Sequence, residues 1–446
     1  MAKSVFEGEW LFTSPSNSSI IKRGDVLGWQ KIANDFSDML APDLNNGTHD
    51  ARWISILSWC LVVSNTIPLR QDFDRSELYK WLKPLEVFWI KATLEKIASD
   101  NKYGNYSDYQ LPGRRKIKEW SGKYNDLKEL LDDLDNFRYS GIYGTYRTIL
   151  KNVPGFTEDC DGWTPDIVAT DLANQYNIPY QKNISARGNP QPNAYWLGKT
   201  SIENSDEKSL WDLIRSQRIS RLPTSKKSVS NLTKKEEQIL ISALFSKDGN
   251  GKRRRIVANA IEKSNAQSYA DLCNDVSKKL QDIPDAYLLC PFSRLSDSAI
   301  DLLNNIWNCI KDKPRVTLSE VHITGDCRQQ LKNSVDLWIE AKNDSLANNF
   351  RIIDQFVSMI SDIDNMKDAD LVRCIVNYHS ENCRGRKWMQ INNEYVEPLL
   401  FSNTTEASYY RFRLWQLSRL ALQCGFIHNI PGILSQESFY MEDYDE

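Results

Sequence analysis

Three short arrangements in this sequence have residue types that could do chemistry. The first is Asp336-Leu-Trp-Ile-Glu340-Ala-Lys342. In a restriction-type nuclease two carboxylates hold a divalent cation while a lysine supports the attacking water, and Asp336, Glu340 and Lys342 are the residues for that role. Leu331, Val335, Trp338 and Ala341 nevertheless recur at helical spacing, and on a helix Asp336 and Glu340 are simply an exposed i, i+4 pair. The second is Gly198-Lys199-Thr200, which has the form of the end of a phosphate-binding loop. A Walker A loop needs a glycine where this chain has Asn193, and Tyr195 and Trp196 would obstruct the backbone nest around a phosphate. The third is His379 with Cys383, one helical turn apart. With four histidines in the chain (His49, His322, His379 and His428) and no Cys-x-x-Cys pair, a zinc site would need distant ligands, and a partly buried histidine beside a core cysteine is the simpler reading. Glu158, Asp159 and Asp161 lack the spacing of a calcium loop and read as a solvated turn. No Gly-x-Ser-x-Gly elbow or dinucleotide fingerprint occurs. The expectation is a protein that works by binding, without an assigned catalytic residue, metal or cofactor; a metal-dependent nuclease is the alternative.

The basic clusters point to what would be bound. Arg114, Arg115 and Lys116 stand before Trp120; Lys252, Arg253, Arg254 and Arg255 follow Gly249-Asn-Gly251; Arg384, Arg386 and Lys387 lead into Trp388. Each cluster could hold phosphates by charge and hydrogen bonds, and Trp388 could add stacking on a base. The bland alternative is a solvated helix end, where cations offset the helix dipole. Formal net charge is only -3, so a nucleic-acid contact has to come from such local concentrations and not from bulk charge.

The elements that would carry these residues read as helices. The apolar run Trp53 to Val63 has 11 residues, about half of what a bilayer span requires, and reads as a buried core helix. Ser76 to Trp81, Leu85 to Ile97 and Tyr124 to Phe137 have amphipathic spacing, with Pro84 separating the first two. After the turn-rich loop Val153 to Gly162, Thr164-Pro165 predicts a helix start and Asn177 with Pro179 a stop near Tyr176. That segment has the look of the first part of a helix-turn-helix or winged helix, although Asn183 to Gln191 is poorly suited to a recognition helix. A basic, serine-rich linker over Ser220 to Ser230 leads to Thr233-Lys-Lys-Glu236, a capping box. Further helices are predicted to about Cys424, broken at Pro284, Pro291, Pro314 and Pro398, and Arg315 to Ile323 is the best strand. The acidic segment Tyr440 to Glu446 reads as a frayed tail.

With 446 residues, 41% hydrophobic and 26% charged, the chain is an ordinary globular sequence too long for one core. The expected architecture is mainly α and multi-domain, with a winged-helix-like or small β element: a helical domain over 1–155, a middle segment over 156–230 with the helix-turn-helix-like element and linker, and a helical domain over 231–446. Fourteen tryptophans and 19 tyrosines suit either large helical interfaces or stacking on bases and partners, and composition does not choose. Nine cysteines do not form a disulfide framework, and the N-terminus carries acidic residues where a signal peptide needs an apolar run; both fit a soluble protein of the reducing cytoplasm, with no membrane partner.

Several pieces in order along the chain resemble an uncharacterised bacterial family associated with anti-phage defence islands. They are Leu27-Gly28-Trp29, Leu40-Ala-Pro42 leading to Ala51-Arg52-Trp53, Tyr139-Ser-Gly-Ile-Tyr143, Leu232-Thr233, the Pro291 segment and Cys383-Arg-Gly-Arg-Lys387. Such islands hold helicases, nucleases of the phospholipase D type and DNA methyltransferases. The resemblance implies a non-catalytic subunit of a DNA-targeting complex, with a helicase, ATPase or nuclease and DNA as partners. It supplies no catalytic residue. A scaffold that binds only proteins is the remaining alternative.

Overall fold

The computed structural model describes residues 24–65, 82–83, 86, 141–159, 161–185, 232–342, 350–400 and 406–435. The predicted helices over 76–81, 85–97 and 124–137, the Gly198-Lys-Thr200 motif, the 220–230 linker and the acidic tail lie mostly or wholly outside them. The protein is mainly helical with one small antiparallel sheet. Its described residues fall into two compact units, each assembled from two chain segments. One comprises those up to Phe36 with those from Asp282 to Arg411; the other runs from Ser37 to Gln281 and resumes at Phe412. This differs from the contiguous division at 155 and 230 expected above, because distant segments pack together where no composition shift marks them.

In the first unit the helix Leu289–Ile310 is the central element, burying Phe292, Leu295, Ala299, Leu302, Leu303, Ile306 and Trp307. Pro291 does not break it. The proline sits in the first turn, where backbone N–H groups have no intrahelical partner to lose. The helix Gly325–Lys342 packs beside it, close enough for the Ser298 and Ser334 hydroxyls to bond at 2.8 Å. Trp29 lies among Phe292, Phe356, Tyr378 and Tyr410, and its indole N–H donates to the Tyr378 hydroxyl at 2.8 Å.

The sheet is β1 (Val316–Thr317), β2 (Met389–Asn392) and β3 (Tyr395–Pro398), ordered β1-β3-β2. Only two residues of the predicted 315–323 strand pair. Thr317 and Glu320 then form a capping box that turns the chain into a short 3-10 helix, Leu318–Glu320. The β2–β3 hairpin, with Asn392 opposite Tyr395 and Asn393 at φ +55°, was not foreseen, although a two-residue loop starting with asparagine is a hairpin signal.

In the second unit Ala51–Asn65 is the helix expected around the apolar run, and Ala51 to Leu61 are all buried. Among the described residues no helix is long and apolar enough to cross a membrane. It packs against Ile167–Ser185 and Gly141–Asn152. Ile167–Ser185 begins later and ends later than predicted. Pro165 bridges Thr157 in a small loop instead of opening the helix, and the backbone stays helical through Pro179 at the loss of one hydrogen bond. Asp159 is not a merely solvated carboxylate: it closes that loop by accepting the amides of Gly162, Trp163 and Thr164, and those bonds hold it below the usual carboxylate range despite partial desolvation. The capping box at Thr233 and Glu236 forms as predicted, and starts the helix Lys234–Leu244.

Candidate nucleic-acid interface

The three basic clusters have different fates. Arg114, Arg115 and Lys116 lie outside the described residues. Lys252 to Arg255 occupy the helix Gly249–Glu262, whose first turn is the Gly249-Asn-Gly251 segment that reads as a plain turn in sequence. Consecutive helical residues point about 100° apart, so four cations in a row cannot share a face. Lys252 is exposed and Arg253 half-buried. Arg254 is 1% exposed: its Nε donates to the Leu244 carbonyl at 2.7 Å and its Nη1 to the Pro42 carbonyl at 2.8 Å and the Asp43 carboxylate at 2.6 Å. Burial pulls this guanidinium below its ordinary value while Asp43 opposes the shift. Arg255 places its guanidinium over the Phe426 ring. Arg254 is therefore removed from the phosphate-binding set, and this cluster clamps the loop after Leu40 more than it serves a surface.

A second buried arginine grips the same loop. Arg413 donates to the carboxylate of Asp38, to Asn46 and, at 2.6 Å, to the carbonyl of Leu44. Arg52 is buried against Glu236 at 2.5 Å with its guanidinium over Tyr176. Arg52 stands in the Ala51-Arg52-Trp53 piece and Arg413 in no motif, but an isolated arginine in a helical pattern carries no mark of burial.

The third cluster remains a surface feature. The helix Asp368–Asn382 ends at Cys383, and the next residues form a turn in which Arg384, Gly385, Arg386 and Lys387 are all exposed. Among the described residues none of these three cations makes an ion pair. Trp388 is different: it is 1% exposed and meets Trp307 edge to face, so it is taken out of the stacking role expected of it. Every described tryptophan is buried, which assigns those of the aromatic load to core packing.

Two glycines and one histidine shape the turn. Asp25 and Arg384 exchange both backbone hydrogen bonds, at 3.0 and 2.9 Å. That approach leaves no room for side chains: a Cβ on Gly24 would lie 2.3 Å from the Arg384 carbonyl oxygen, and Gly385 has φ +126°. His379, fully buried, fixes the other end. Its Nε2 accepts the Trp388 amide at 2.9 Å, so Nδ1 carries the proton and donates to the Val26 carbonyl at 2.8 Å. Both nitrogens are occupied, desolvation holds the ring below its ordinary value, and the imidazole is a neutral brace and not a metal ligand here. Cys383 is half-buried and donates to the Arg386 carbonyl. Asp25 turns its carboxylate to the start of helix Gln30–Leu40, where it accepts the amides of Trp29 and Gln30, both at 2.9 Å.

The nuclease-like residues are placed on the wrong element for a metal-binding strand. Asp336, Glu340 and Lys342 lie on the helix Gly325–Lys342; the two carboxylates are exposed, and Lys342 pairs with Asp354. Among the described residues no group of three metal-ligating side chains occurs. No protein-family model, curated protein or solved structure matches the chain.

Proposed function

We propose that the protein is a non-catalytic, DNA-contacting subunit of a bacterial DNA-targeting defence complex, and that it holds the phosphate backbone through Arg384, Arg386 and Lys387. The observation that carries this reading is the turn itself: three exposed cations without ion-pair partners among the described residues, on a backbone pinned by the Asp25 bridge and by His379. Cations already paired to carboxylates would have to break those pairs to bind phosphate, and these do not. A pinned turn also loses less conformational entropy on binding than a floppy one. With Trp388 inside the core, the contact is one of charge and hydrogen bonds and carries no base preference of its own.

Fluorescence anisotropy on a duplex oligonucleotide over a salt series tests it. Three phosphate contacts give a log-log salt slope of about -2.7, and Arg386→Ala with Lys387→Ala should reduce its magnitude by about 1.8 and weaken binding. Binding with the parent's affinity and slope in that double variant would overturn the assignment. A partner complex that survives nuclease treatment and never retains DNA would favour the pure scaffold.

A further inference from the structure

From Glu406 to Arg411 the chain runs extended along the helix Leu289–Ile310 and is tied to one stripe of it. Asn308 donates to the Glu406 carboxylate at 2.6 Å. Asn304 holds Ala407 from both sides, accepting its amide at 2.7 Å and donating to its carbonyl at 3.2 Å. Asp301 accepts the Tyr409 hydroxyl at 2.6 Å, and Asp297 pairs with Arg411 at 2.8 Å. The steps from 297 to 301, 304 and 308 follow the helical repeat, so these four side chains share a face. Residue 410 belongs to the other side of this strap. Tyr410 is 5% exposed, its ring is stacked on Trp29, and its hydroxyl donates to Asp25 Oδ1 while accepting the Leu27 amide at 3.1 Å. Asp25 is the residue whose backbone is paired to Arg384.

We infer that Tyr410 is a positioning residue for the basic turn: its hydroxyl, anchored by the strap on Leu289–Ile310, fixes Asp25, and Asp25 fixes Arg384 and hence the spacing of Arg384, Arg386 and Lys387. Its consequence for DNA rests on the phosphate-binding reading above; the mechanical link does not. Two side-chain bonds at Asp25 and Leu27 and two backbone bonds at Arg384 form an unbroken path from the strap to the turn. Removing the one oxygen at residue 410 cuts it without opening a cavity.

The test is Tyr410→Phe in the full chain, followed by hydrogen exchange and by DNA binding. The hydrogen bond to the Asp25 carboxylate is lost, so exchange at the Asp25 and Arg384 amides should accelerate about tenfold, with the far-ultraviolet spectrum unchanged. The magnitude of the salt slope should fall by about 0.9, one phosphate contact, because the three cations no longer share a register. Tyr287→Phe, at an exposed position away from the strap, should move neither reading. If Tyr410→Phe does not fold, Asp25→Asn weakens the same link from the other side and should reproduce the faster exchange at Arg384. Unchanged exchange at Asp25 and Arg384 overturns the positioning role whatever DNA does. Faster exchange in a protein whose Arg386→Ala and Lys387→Ala variant binds DNA as the parent does leaves the link standing and removes the phosphate-binding reading.

Discussion

Replacing Arg254 by alanine separates a buried clamp from a surface cation, which is the distinction that decides the interface. The guanidinium is 1% exposed and its partner carboxylate on Asp43 is 7% exposed, so the substitution leaves a nearly buried charge without its counter-ion. Breaking such a pair by removing one member costs about 3–5 kcal/mol. The carbonyls of Leu244 and Pro42 lose their donors as well, each worth about 1 kcal/mol, although water entering the vacated volume recovers part of that. A loss of about 4 kcal/mol follows. At about 2–4 °C per kcal/mol for a unit of this size, the thermal transition of the unit that contains Arg254 should drop by roughly 8–16 °C. Calorimetry on the full chain measures it, and hydrogen exchange locates it, with protection lost first around Pro42 and Asp43. Below the lowered transition the variant should bind DNA with the parent's salt slope. Lys252→Ala, at an exposed position of the same cluster, should change stability by no more than about 0.5 kcal/mol. The reasoning is refuted if Arg254→Ala costs less than about 1 kcal/mol and instead lowers the salt slope, for then the guanidinium faces solvent.

Two further outcomes follow from the first unit. Gly24→Ala puts a methyl 2.3 Å from the Arg384 carbonyl oxygen, so the double bridge should open, with a stability loss of about 1–3 kcal/mol and fast exchange at the Asp25 amide; retained protection there would contradict the close approach. The pH dependence has two opposed parts. His379 is held below its ordinary value of 6.5 by desolvation, so the stability its neutral form contributes is complete above pH 6.5 and declines as pH falls, with a slope of up to about 1.4 kcal/mol per pH unit. Asp297 is pushed up from 3.8 to about 6, by desolvation against the pull of Arg411, so the folded protein keeps a proton there that the unfolded chain releases, and stability falls as pH rises through that window. The charged and titratable groups around it are Arg411 and Tyr409 on the strap and Asp301 on its own helix, with Cys327 beside Asp301. On acidification from pH 6 to 4 Asp297 therefore offsets His379. Urea titrations at pH 7, 6 and 5 should show Asp297→Asn losing stability more steeply than the parent; an equal or shallower loss would show that the proton is not held there.

Local rules carried the sequence reading as far as local physics decides. The helix at Ala51–Asn65 was legible because an unbroken apolar run of that length has few other solutions, and the start at Lys234 because Thr233 and Glu236 satisfy each other's amides within four residues. Pro291 misled, because its effect depends on whether it falls in the first turn or later, a matter of two residues. The β2–β3 hairpin was hidden by strands of four residues, too short for their alternation to outweigh the helical prior.

Sequence by itself determined a mainly helical chain and the places where positive charge collects, since both are properties of neighbours along the backbone. Tertiary structure alone decided which charges remain available. Arg254 and Arg384 look alike in sequence, each in a basic run; one ends at two carbonyls and Asp43, the other stays exposed on a turn pinned to residue 25. The physical reason is that the deciding partners lie far along the chain, Pro42 and Asp43 more than 200 residues from Arg254 and Asp25 more than 350 from Arg384, and no spacing rule reaches that far.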